Sequence, residues 1–180
     1  TGVFTISSPA TNTDRTLTLP DEAGTIITTA GVPSSAMPAG SVLQVVQGAY
    51  ATSGSTTSTS WTATGLAATI TPSSASSKIM VIVSCPVQTN SLGTYSAKYT
   101  VFRGTTSGTE LSSTTAGFGN LVVIAQAYVS TTFSITYLDA PSTTSSQTYT
   151  FAARSEGNSS YAGVCNGNTV GTITLMEIAG

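Results

Sequence analysis

The segment from Phe133 to Arg154 constrains the fold more than any other, because apolar side chains alternate along both of its halves. The alternating residues are Phe133, Ile135 and Tyr137, followed by Tyr149, Phe151 and Ala153. Alternation with a period of two is typical of a strand with one face against a core. The intervening residues 139–142 (DAPS) form a turn sequence, since Pro lacks the N–H that a central ladder needs. The segment therefore predicts two antiparallel strands joined as a hairpin.

The rest of the second part of the chain contains similar segments and no helical period. The predicted strands are Val42–Tyr50, Trp61–Thr71 with a kink at Gly65, Lys78–Val87, Tyr95–Arg103, Leu121–Val129, Phe133–Leu138, Gln147–Arg154 and Thr169–Ile178. A short extra strand is expected at Glu110-Leu111. Such strands, separated by turn sequences at regular intervals, predict an all-β fold, an antiparallel jelly-roll-like β-sandwich.

Residues 1–38 differ from the remainder of the chain, because their short β-like pieces are repeatedly broken by Pro and Gly. A segment of under about 40 residues rarely builds its own core, so copies of the chain are the expected partners. We therefore predict a stem and linker over residues 1–38, a sandwich head over residues 39–180, and a parallel homotrimer. The chain starts with Thr rather than Met, and we expect it to be part of a longer protein.

The charge content and the lengths of the aliphatic runs argue against two classes of partner. Charged residues make up 7% of the chain and the net charge is −2, so no basic surface is available for nucleic acid. The longest aliphatic runs, Ile79–Val83 and Leu121–Ala125, are far shorter than the ~20 residues of a membrane-spanning helix. We expect neither nucleic-acid binding nor membrane insertion.

Histidine is absent, which removes the Ser-His-Asp relay and the usual ligand of most zinc sites. We expect no metal and no cofactor. The two cysteines, Cys85 in an apolar strand and Cys165 in a Gly/Asn-rich loop, can pair only if their Cα atoms come within ~7 Å. Pairing stays open on the sequence alone, and the favoured interpretation is a small buried hydrophobe and an unrelated loop thiol.

Carboxylates give little support to catalysis. Acid–base hydrolysis of a glycoside needs two carboxyl groups roughly 5–9 Å apart. The predicted head offers Glu110, Asp139, Glu156 and Glu177. A turn explains Asp139, the solvent face of a strand explains Glu177, and loops explain the other two. The sequence predicts a protein that is not an enzyme.

Four stretches resemble a known group of proteins. DRTLTLPDEAGTIITTAG (Asp14–Gly31) resembles the segment before the distal domains of many phage tail-fibre proteins. The C-terminal head of phage and cyanophage fibres is similar to TGLAATITPSSASSKIMVIVS (Thr64–Ser84), TYLDAPSTTSSQTYTFAAR (Thr136–Arg154) and TITLMEIAG (Thr172–Gly180).

The resemblance implies a trimeric fibre tip with β-sandwich heads, located in the virion as part of a tail fibre. Its implied task is attachment to a host-cell glycan or outer-membrane protein, with other virion proteins bound through a missing N-terminal part. A structural or decorating capsid fibre without a specific receptor is the alternative. A secreted carbohydrate-binding module fits the predicted sandwich but not the stem motif.

The parity of the connections predicts where a receptor would bind. Antiparallel strands alternate in direction, so residues 51–60, 88–94, 130–131 and 155–168 are expected at the end far from the stem. A fibre meets its target with its free end, where three copies of a weak site add avidity. The predicted receptor-binding residues are Asn90, Glu156, Asn158, Tyr161, Asn166 and Asn168, an amide-rich set suited to glycan hydroxyls.

Tyr161 has two interpretations. A polar-tipped aromatic residue among Asn and Ser on a loop is typical of a binding surface, but a tyrosine that only pins its own loop fits equally.

Trp61 could stack on a sugar, although packing over the end of the sandwich is the expected role. The strand tyrosines, Tyr128 among them, are expected to be structural. Arg103 and Arg154 are each expected to hold a carboxylate or a loop carbonyl across a subunit interface.

Overall fold

The computed structural model describes residues 13, 32, 36–91, 95–123, 127–157 and 160–180. The chain divides into two units, Thr1–Val32 and Pro33–Gly180, and the described strands belong to the second. The predicted stem lies almost entirely outside the described residues, so its structure and its boundary at residue 38 stay predictions. None of the described residues belongs to a helix long and apolar enough to cross a membrane.

The described part of the second unit is built from strands that pair only in the antiparallel sense. The strands are β1 (Val42–Tyr50), β2 (Gly54–Thr56), β3 (Thr62–Ile70), β4 (Lys78–Ser91), β5 (Tyr95–Arg103), β6 (Thr109–Glu110), β7 (Gly119–Val123), β8 (Ala127–Asp139), β9 (Gln147–Ser155), β10 (Ser160–Val164) and β11 (Gly171–Ile178). The all-β, antiparallel prediction is confirmed. The short strand expected at Glu110-Leu111 is β6, one residue earlier.

Two sheets form a β-sandwich-like fold. In the first, sheet A, β4 lies between β8 on one side and β10 and β11 on the other, while β1 and β2 pair with β11 and β10 at the far edge. In the second, sheet B, β9 lies between β3 and β5, and β6 and β7 share the other side of β5. The two ends of this sandwich carry different connections.

One end of the sandwich, the entry end, holds the point where residue 40 joins β1. The N–H of Gly40 donates a 2.8 Å bond to the carbonyl of Ala179, and the Ala179 N–H donates one of 2.8 Å to Ser41. From there β1 and β11 pair from Val42 opposite Ile178 to Tyr50 opposite Gly171. The other end, the far end, holds the last residues of β4, β7 and β9.

The core lies between the sheets because each strand turns alternate residues inward. In β4 the odd-numbered residues Ile79, Val81, Val83, Cys85 and Val87 are buried. From sheet B, Tyr99 and Phe151 stack with ring centroids 5.9 Å apart. Phe133 of β8 reaches Tyr99 across the sandwich at 5.2 Å. Large aromatic side chains of this kind each remove much apolar surface from water, which favours the folded state.

The predicted hairpin between Phe133 and Arg154 is wrong. Its first half lies in β8 and pairs with β4 in sheet A, whereas its second half is β9, in the middle of sheet B. The connection 140–146 therefore passes from one sheet to the other. Alternation along a strand identifies which face is buried but not which strand is its partner, and the two halves face each other across the core.

Three predicted turns and loops are strands instead. The turn expected at residues 130–131 lies within β8, residues 88–90 extend β4, and residues 160–164 of the expected loop 155–168 form β10. Their Ser, Thr and Asn content suggested loops. In β8, however, the polar side chains occupy the exposed face of an edge strand, where Thr is well suited because it is β-branched.

The kink predicted at Gly65 is confirmed. The register of β3 with β9 shifts between Ala63 and Ala67, and Gly65 has a φ of 94°. A Cβ there would lie 2.5 Å from Cε2 of Tyr50, so the missing side chain makes room for that ring. The bulge allows the edge of sheet B to pass around Tyr50.

Two carboxylates predicted to be exposed or local are buried. Asp139 lies at the end of β8, where Arg103 Nη1 of β5 is 3.0 Å from its Oδ2 and the Tyr149 hydroxyl of β9 donates a 2.8 Å bond to the same oxygen. Arg103 therefore does hold a carboxylate, but within its own chain. Burial raises the pKa of Tyr149, and the bond to the Asp139 carboxylate raises it further, so the phenol remains a donor.

Glu177 of β11 is fully buried, which contradicts the solvent-face interpretation. It accepts bonds from Gln44 Nε2 at 2.6 Å and from both the N–H and the hydroxyl of Ser73 at 2.7 Å. Burial raises the pKa of Glu177, but the bonds from Gln44 and Ser73 outweigh it and bring the pKa below its usual value. This carboxylate ties the 71–77 turn to sheet A.

Cys85 is a buried residue of an apolar strand, as predicted, but the interpretation of Cys165 as an unrelated loop thiol is wrong. Both residues are fully buried, and their sulfur atoms lie 3.8 Å apart. The Gly/Asn-rich sequence around Cys165 hid the fact that β10 carries it to the core.

Candidate functional site

A row of polar aromatic and amide side chains crosses sheet A near its far end. In the register of the sheet, Asn90 of β4 lies opposite Tyr128 of β8 on one side and Tyr161 of β10 on the other. Directly opposed residues of antiparallel strands share a face, and Asn90 and Tyr128 are exposed on the outer face. With Gln88 and Asn166, these three residues form what we call the tyrosine–amide cluster.

Gln88 connects the cluster by hydrogen bonds. Its Nε2 donates to the Tyr161 hydroxyl at 3.0 Å, and its Oε1 accepts from the Tyr128 hydroxyl. Asn166, in the short 3-10 helix Asn166–Asn168, donates from Nδ2 to the Tyr128 hydroxyl at 3.0 Å. Gln88 is 5% exposed whereas Tyr128 is 59% exposed. The buried amide of Gln88 therefore orients the solvent-exposed ring of Tyr128.

Gly163 gives the cluster its shape. A Cβ at Gly163 would lie 2.8 Å from Cγ of Gln88 and 3.1 Å from Cε2 of Tyr161. Both side chains therefore occupy space that any other residue at this position of β10 would fill. The hydroxyl of Thr89, on the inward face of β4, donates a 2.7 Å bond to the Tyr161 carbonyl and fixes the strand there.

The cluster is electrically neutral. Burial, together with the nearby Tyr128 hydroxyl, raises the pKa of Tyr161 to about 12, so the phenol keeps its proton at physiological pH. Within the described strands of sheet A the charged residues are Lys78 at the entry end and the buried Asp139 and Glu177. What the cluster offers a ligand is aromatic ring surface, amide groups and phenolic hydroxyls.

The structure brings together three of the six predicted receptor-binding residues. Asn90, Tyr161 and Asn166 belong to the cluster, although the first two lie on strands rather than in the predicted loops. Asn158 lies outside the described residues. Asn168 ends the 3-10 helix, and its side chain lies outside what the structure describes.

Glu156 lies elsewhere, beside sheet B. It forms an ion pair with Lys98 and accepts a hydrogen bond from the Ser96 hydroxyl, both on the outer face of β5. These two bonds lower the pKa of Glu156. A carboxylate already occupied by a lysine on another sheet contributes nothing to the tyrosine–amide cluster.

Sequence reasoning missed Gln88 and Tyr128. Tyr128 was interpreted as structural, yet it is the most exposed aromatic ring of the cluster. One signal was present in the sequence: residues 128, 130, 132, 134 and 136 alternate as Tyr, Ser, Thr, Ser and Thr, which indicates a solvent-facing row.

Trp61 has a packing role, as expected, but on the outer side of sheet B. Its ring meets Phe102 edge-on at 6.1 Å, and the guanidinium carbon of Arg154 lies 4.7 Å from its centroid. Arg154 also donates to the carbonyls of Thr59 and Thr115. Arg154 therefore holds loop carbonyls within its own chain and covers a face that a sugar would need.

A groove of about 200 Å³ opens between the edges of the two sheets. It is lined by Tyr50, Gly54, Ser55, Thr56, Thr62, Ala63, Thr64, Ala153, Ala162 and Val164. Two of its hydroxyls, those of Thr56 and Thr62, are 3.2 Å apart and bond to each other, and Thr64 donates to the Phe151 carbonyl. The residues that line the groove carry no charge, and some of their polar groups already form hydrogen bonds within the protein.

The carboxylates of the described strands have structural partners rather than each other. Asp139 binds Arg103, Glu156 binds Lys98, and Glu110 accepts a 2.7 Å bond from the Ser112 hydroxyl. Glu177 is buried among its donors. Among the described residues there is no group of three or more His, Cys, Asp or Glu that could hold a metal ion.

Comparison with known proteins adds no assignment: no family model matches the sequence, and no curated protein matches it.

Proposed function

We propose that this chain is a non-enzymatic tip of a phage tail fibre that attaches the virion to a receptor on the host-cell surface. The observation that carries the proposal is the row Tyr128–Asn90–Tyr161 on a neutral face at the end opposite residue 40, in which Tyr128 and Asn90 are exposed and Tyr161 is partly buried. The sequence resemblance to phage fibres is the second support. A fibre joined at residue 40 presents this end first.

The chemistry of the cluster favours a glycan over a charged receptor. Aromatic rings with polar tips supply contact area at low conformational cost, and amides supply both donors and acceptors for hydroxyl groups. The cluster holds no carboxylate or cation, so it offers a charged ligand no counter-ion. A neutral sugar of a surface polysaccharide, or of an outer-membrane component, suits it best.

The strand order supports the more specific proposal of a jelly-roll head. Three pairs of strands, β1 with β2, β6 with β7 and β10 with β11, each lie along one line of a sheet, so we count each pair as a single row. The described strands then form eight rows, numbered in chain order. Across sheet A the rows lie in the order 1, 8, 3, 6, and across sheet B in the order 2, 7, 4, 5. Consecutive rows lie in different sheets except for the fourth and fifth, which are both in sheet B, and this order supports a jelly roll, an architecture used by viral and lectin domains.

An apolar row on the outer face of sheet A supports the proposed homotrimer. Val45, Met176, Met80 and Leu138 lie side by side on four neighbouring strands. Val45 is 55% and Leu138 is 44% exposed. Among the described strands of sheet A, Lys78 is the one charged residue on this face, so charge repulsion between identical copies would be small. We propose that neighbouring subunits of the homotrimer cover this row.

Binding to cells tests the function. Fluorescently labelled protein would be titrated onto a panel of bacterial strains and onto immobilised surface polysaccharides from them. On a strain that binds, Tyr128→Ala with Asn90→Ala should weaken binding at least about 10-fold, since two central contacts are lost.

The matched control is Thr143→Ala with Thr144→Ala, which changes two residues of the connection at the entry end. This variant should bind as the wild type does. If the control abolishes binding while the cluster variant binds normally, and both are folded, the proposed site is wrong. Failure of the wild type to bind any strain or glycan would favour the structural or decorating fibre.

A further inference from the structure

The thiols of Cys85 and Cys165 are in contact in the core. This contact is separate from the ion pairs and from the tyrosine–amide cluster. The two residues are 80 positions apart in the sequence, and their sulfur atoms are 3.8 Å apart in the core. Cys85 points inward from β4, and the N–H of Cys165 donates a 2.9 Å bond to the carbonyl of Pro86, next to Cys85 on the same strand. The backbones are thus neighbours as well as the thiols.

The local backbone provides space for the sulfur pair. A Cβ at Gly171, where β11 begins, would lie 2.8 Å from the Cys85 sulfur and 3.1 Å from the Cys165 sulfur. Cys165 itself has left-handed backbone angles, φ 52° and ψ 35°, at the point where β10 ends. This conformation is uncommon for a residue with a side chain, and here it accompanies a side chain buried in the core beside Cys85.

We propose that Cys85 and Cys165 are an oxidation site that closes to an intramolecular disulfide when the protein meets a small-molecule disulfide such as oxidised glutathione. A disulfide needs a sulfur–sulfur distance of about 2.05 Å, so the present 3.8 Å must shorten by about 1.8 Å. The movement would have to come from rotation about the Cα–Cβ bonds of the two residues.

The exchange balances in two steps. The Cys165 thiolate attacks one sulfur of oxidised glutathione, which forms a mixed disulfide and releases one glutathione thiolate. The Cys85 thiolate then attacks the Cys165 sulfur, the protein disulfide forms, and the second glutathione leaves as a thiolate. The protein loses two hydrogens, and the oxidant is reduced to two thiols.

Access to the site depends on a local opening. Both sulfurs are buried, but residues 167, 169 and 170, which follow Cys165, are exposed. Opening of this short connection between β10 and β11 brings Cys165 to the solvent without separating the sheets. Cys165 is therefore the thiol that reacts first with the oxidant, and the reaction should be slow compared with that of a surface thiol.

The cross-link would stabilise the fold, because it closes a long loop. Constraining residues 80 positions apart removes much of the freedom of the unfolded chain. For a chain of this size the oxidised protein should unfold roughly 5–15 °C higher than the reduced one. The cross-link would form whether or not the tyrosine–amide cluster binds a receptor.

Mass spectrometry and melting curves of the native 180-residue protein test the proposal. The reduced protein is incubated with oxidised glutathione at pH 8, well below its midpoint, and remaining thiols are alkylated. We expect a mass loss of two hydrogens, a peptide map linking Cys85 to Cys165, and a higher midpoint that a reductant reverses.

Single variants Cys85→Ala and Cys165→Ala are the controls, and neither should gain stability under the oxidant. Two thiols that persist in the wild type, a stable glutathione adduct, or disulfide-linked dimers would each overturn the proposal. Should either variant fail to fold, the peptide map of the wild type still decides between these outcomes.

Discussion

The hydroxyl of Tyr149 donates a 2.8 Å hydrogen bond to the carboxylate of Asp139, and this bond joins the two sheets of the sandwich. Asp139 ends β8 in sheet A, while Tyr149 and Arg103 belong to neighbouring strands of sheet B. The predicted turn role of Asp139 therefore describes its place in the chain but not its function. Its three-way contact makes a sharp test of what holds the sheets together.

Replacing Asp139 with Asn should destabilise the protein by about 2–4 kcal/mol, because the largely buried Arg103 then loses its counter-ion. Tyr149→Phe should cost less, about 1–3 kcal/mol, since only one bond to a charged group is removed. Urea unfolding measures both. Glu156→Gln, which breaks a more exposed ion pair, is the control and should cost under about 1 kcal/mol. Equal costs for Asp139→Asn and Glu156→Gln would contradict this account.

Glu177 should make stability depend on pH in the acid range. Its pKa in the folded protein is below the ordinary value of 4.5, so its contribution is fully present above that pH. The contribution is lost as the pH falls from about 4.5 through the lower folded value. The free energy of unfolding should therefore decrease on acidification, and Glu177→Gln should show a flatter profile.

The same Glu177→Gln variant should be about 1–3 kcal/mol less stable at pH 7, because the amide cannot accept every bond that Gln44 and Ser73 donate. The pKa of Glu156 is also lowered, so the pH dependence of stability is measured for Glu156→Gln as well. If the free energy of unfolding of Glu177→Gln falls on acidification as steeply as that of the wild type, Glu177 is not the source of the pH dependence.

The apolar row of sheet A should control assembly. We expect light scattering of the wild type to give about three times 18.1 kDa. Val45→Lys with Leu138→Lys would place charges in the proposed interface and should shift the protein to monomers, because unpaired buried charge is costly.

Thr132→Lys with Ser134→Lys adds the same charge to exposed positions of the same face of β8 and is the control. A trimer that survives the first pair but not the second would place the interface further along the face. A wild type that is monomeric at micromolar concentration would remove the assembly altogether.

Gly163 should be necessary for the shape of the tyrosine–amide cluster. A Val there would overlap Gln88 and displace the Tyr161 ring, so cell binding should fall while the midpoint changes by only a few degrees. Gly167→Ala is a matched control, because a Cβ there has no neighbour within 4 Å, although its positive φ adds some strain. Unaltered cell binding by Gly163→Val would show that the cluster's shape does not matter.

Local pattern predicted the strands well, and the reason is visible in β1 and β5, whose bounds agree with the predicted segments. Apolar alternation is a local property of the sequence. The partner of each strand is not, which is why the segment from Phe133 to Arg154 predicted a hairpin although its halves belong to different sheets.

The candidate site shows the same limit. Asn90, Tyr161 and Asn166 could be selected by residue type and by position relative to the strand ends. Gln88 and Tyr128 could not, because their roles depend on contacts with residues 73 and 40 positions away. The burial of Glu177 was equally hidden, since its donors come from two distant segments.

The pairing of β1 with β11 has a mechanical consequence. Any pull exerted between Gly40 and the tyrosine–amide cluster runs along the length of β1, from one end of the sandwich towards the other. Force in that direction loads the rungs of the β1–β11 ladder together in shear, rather than peeling them apart one after another. A head tethered in this way would resist unfolding when viscous drag acts on a much larger particle attached to it.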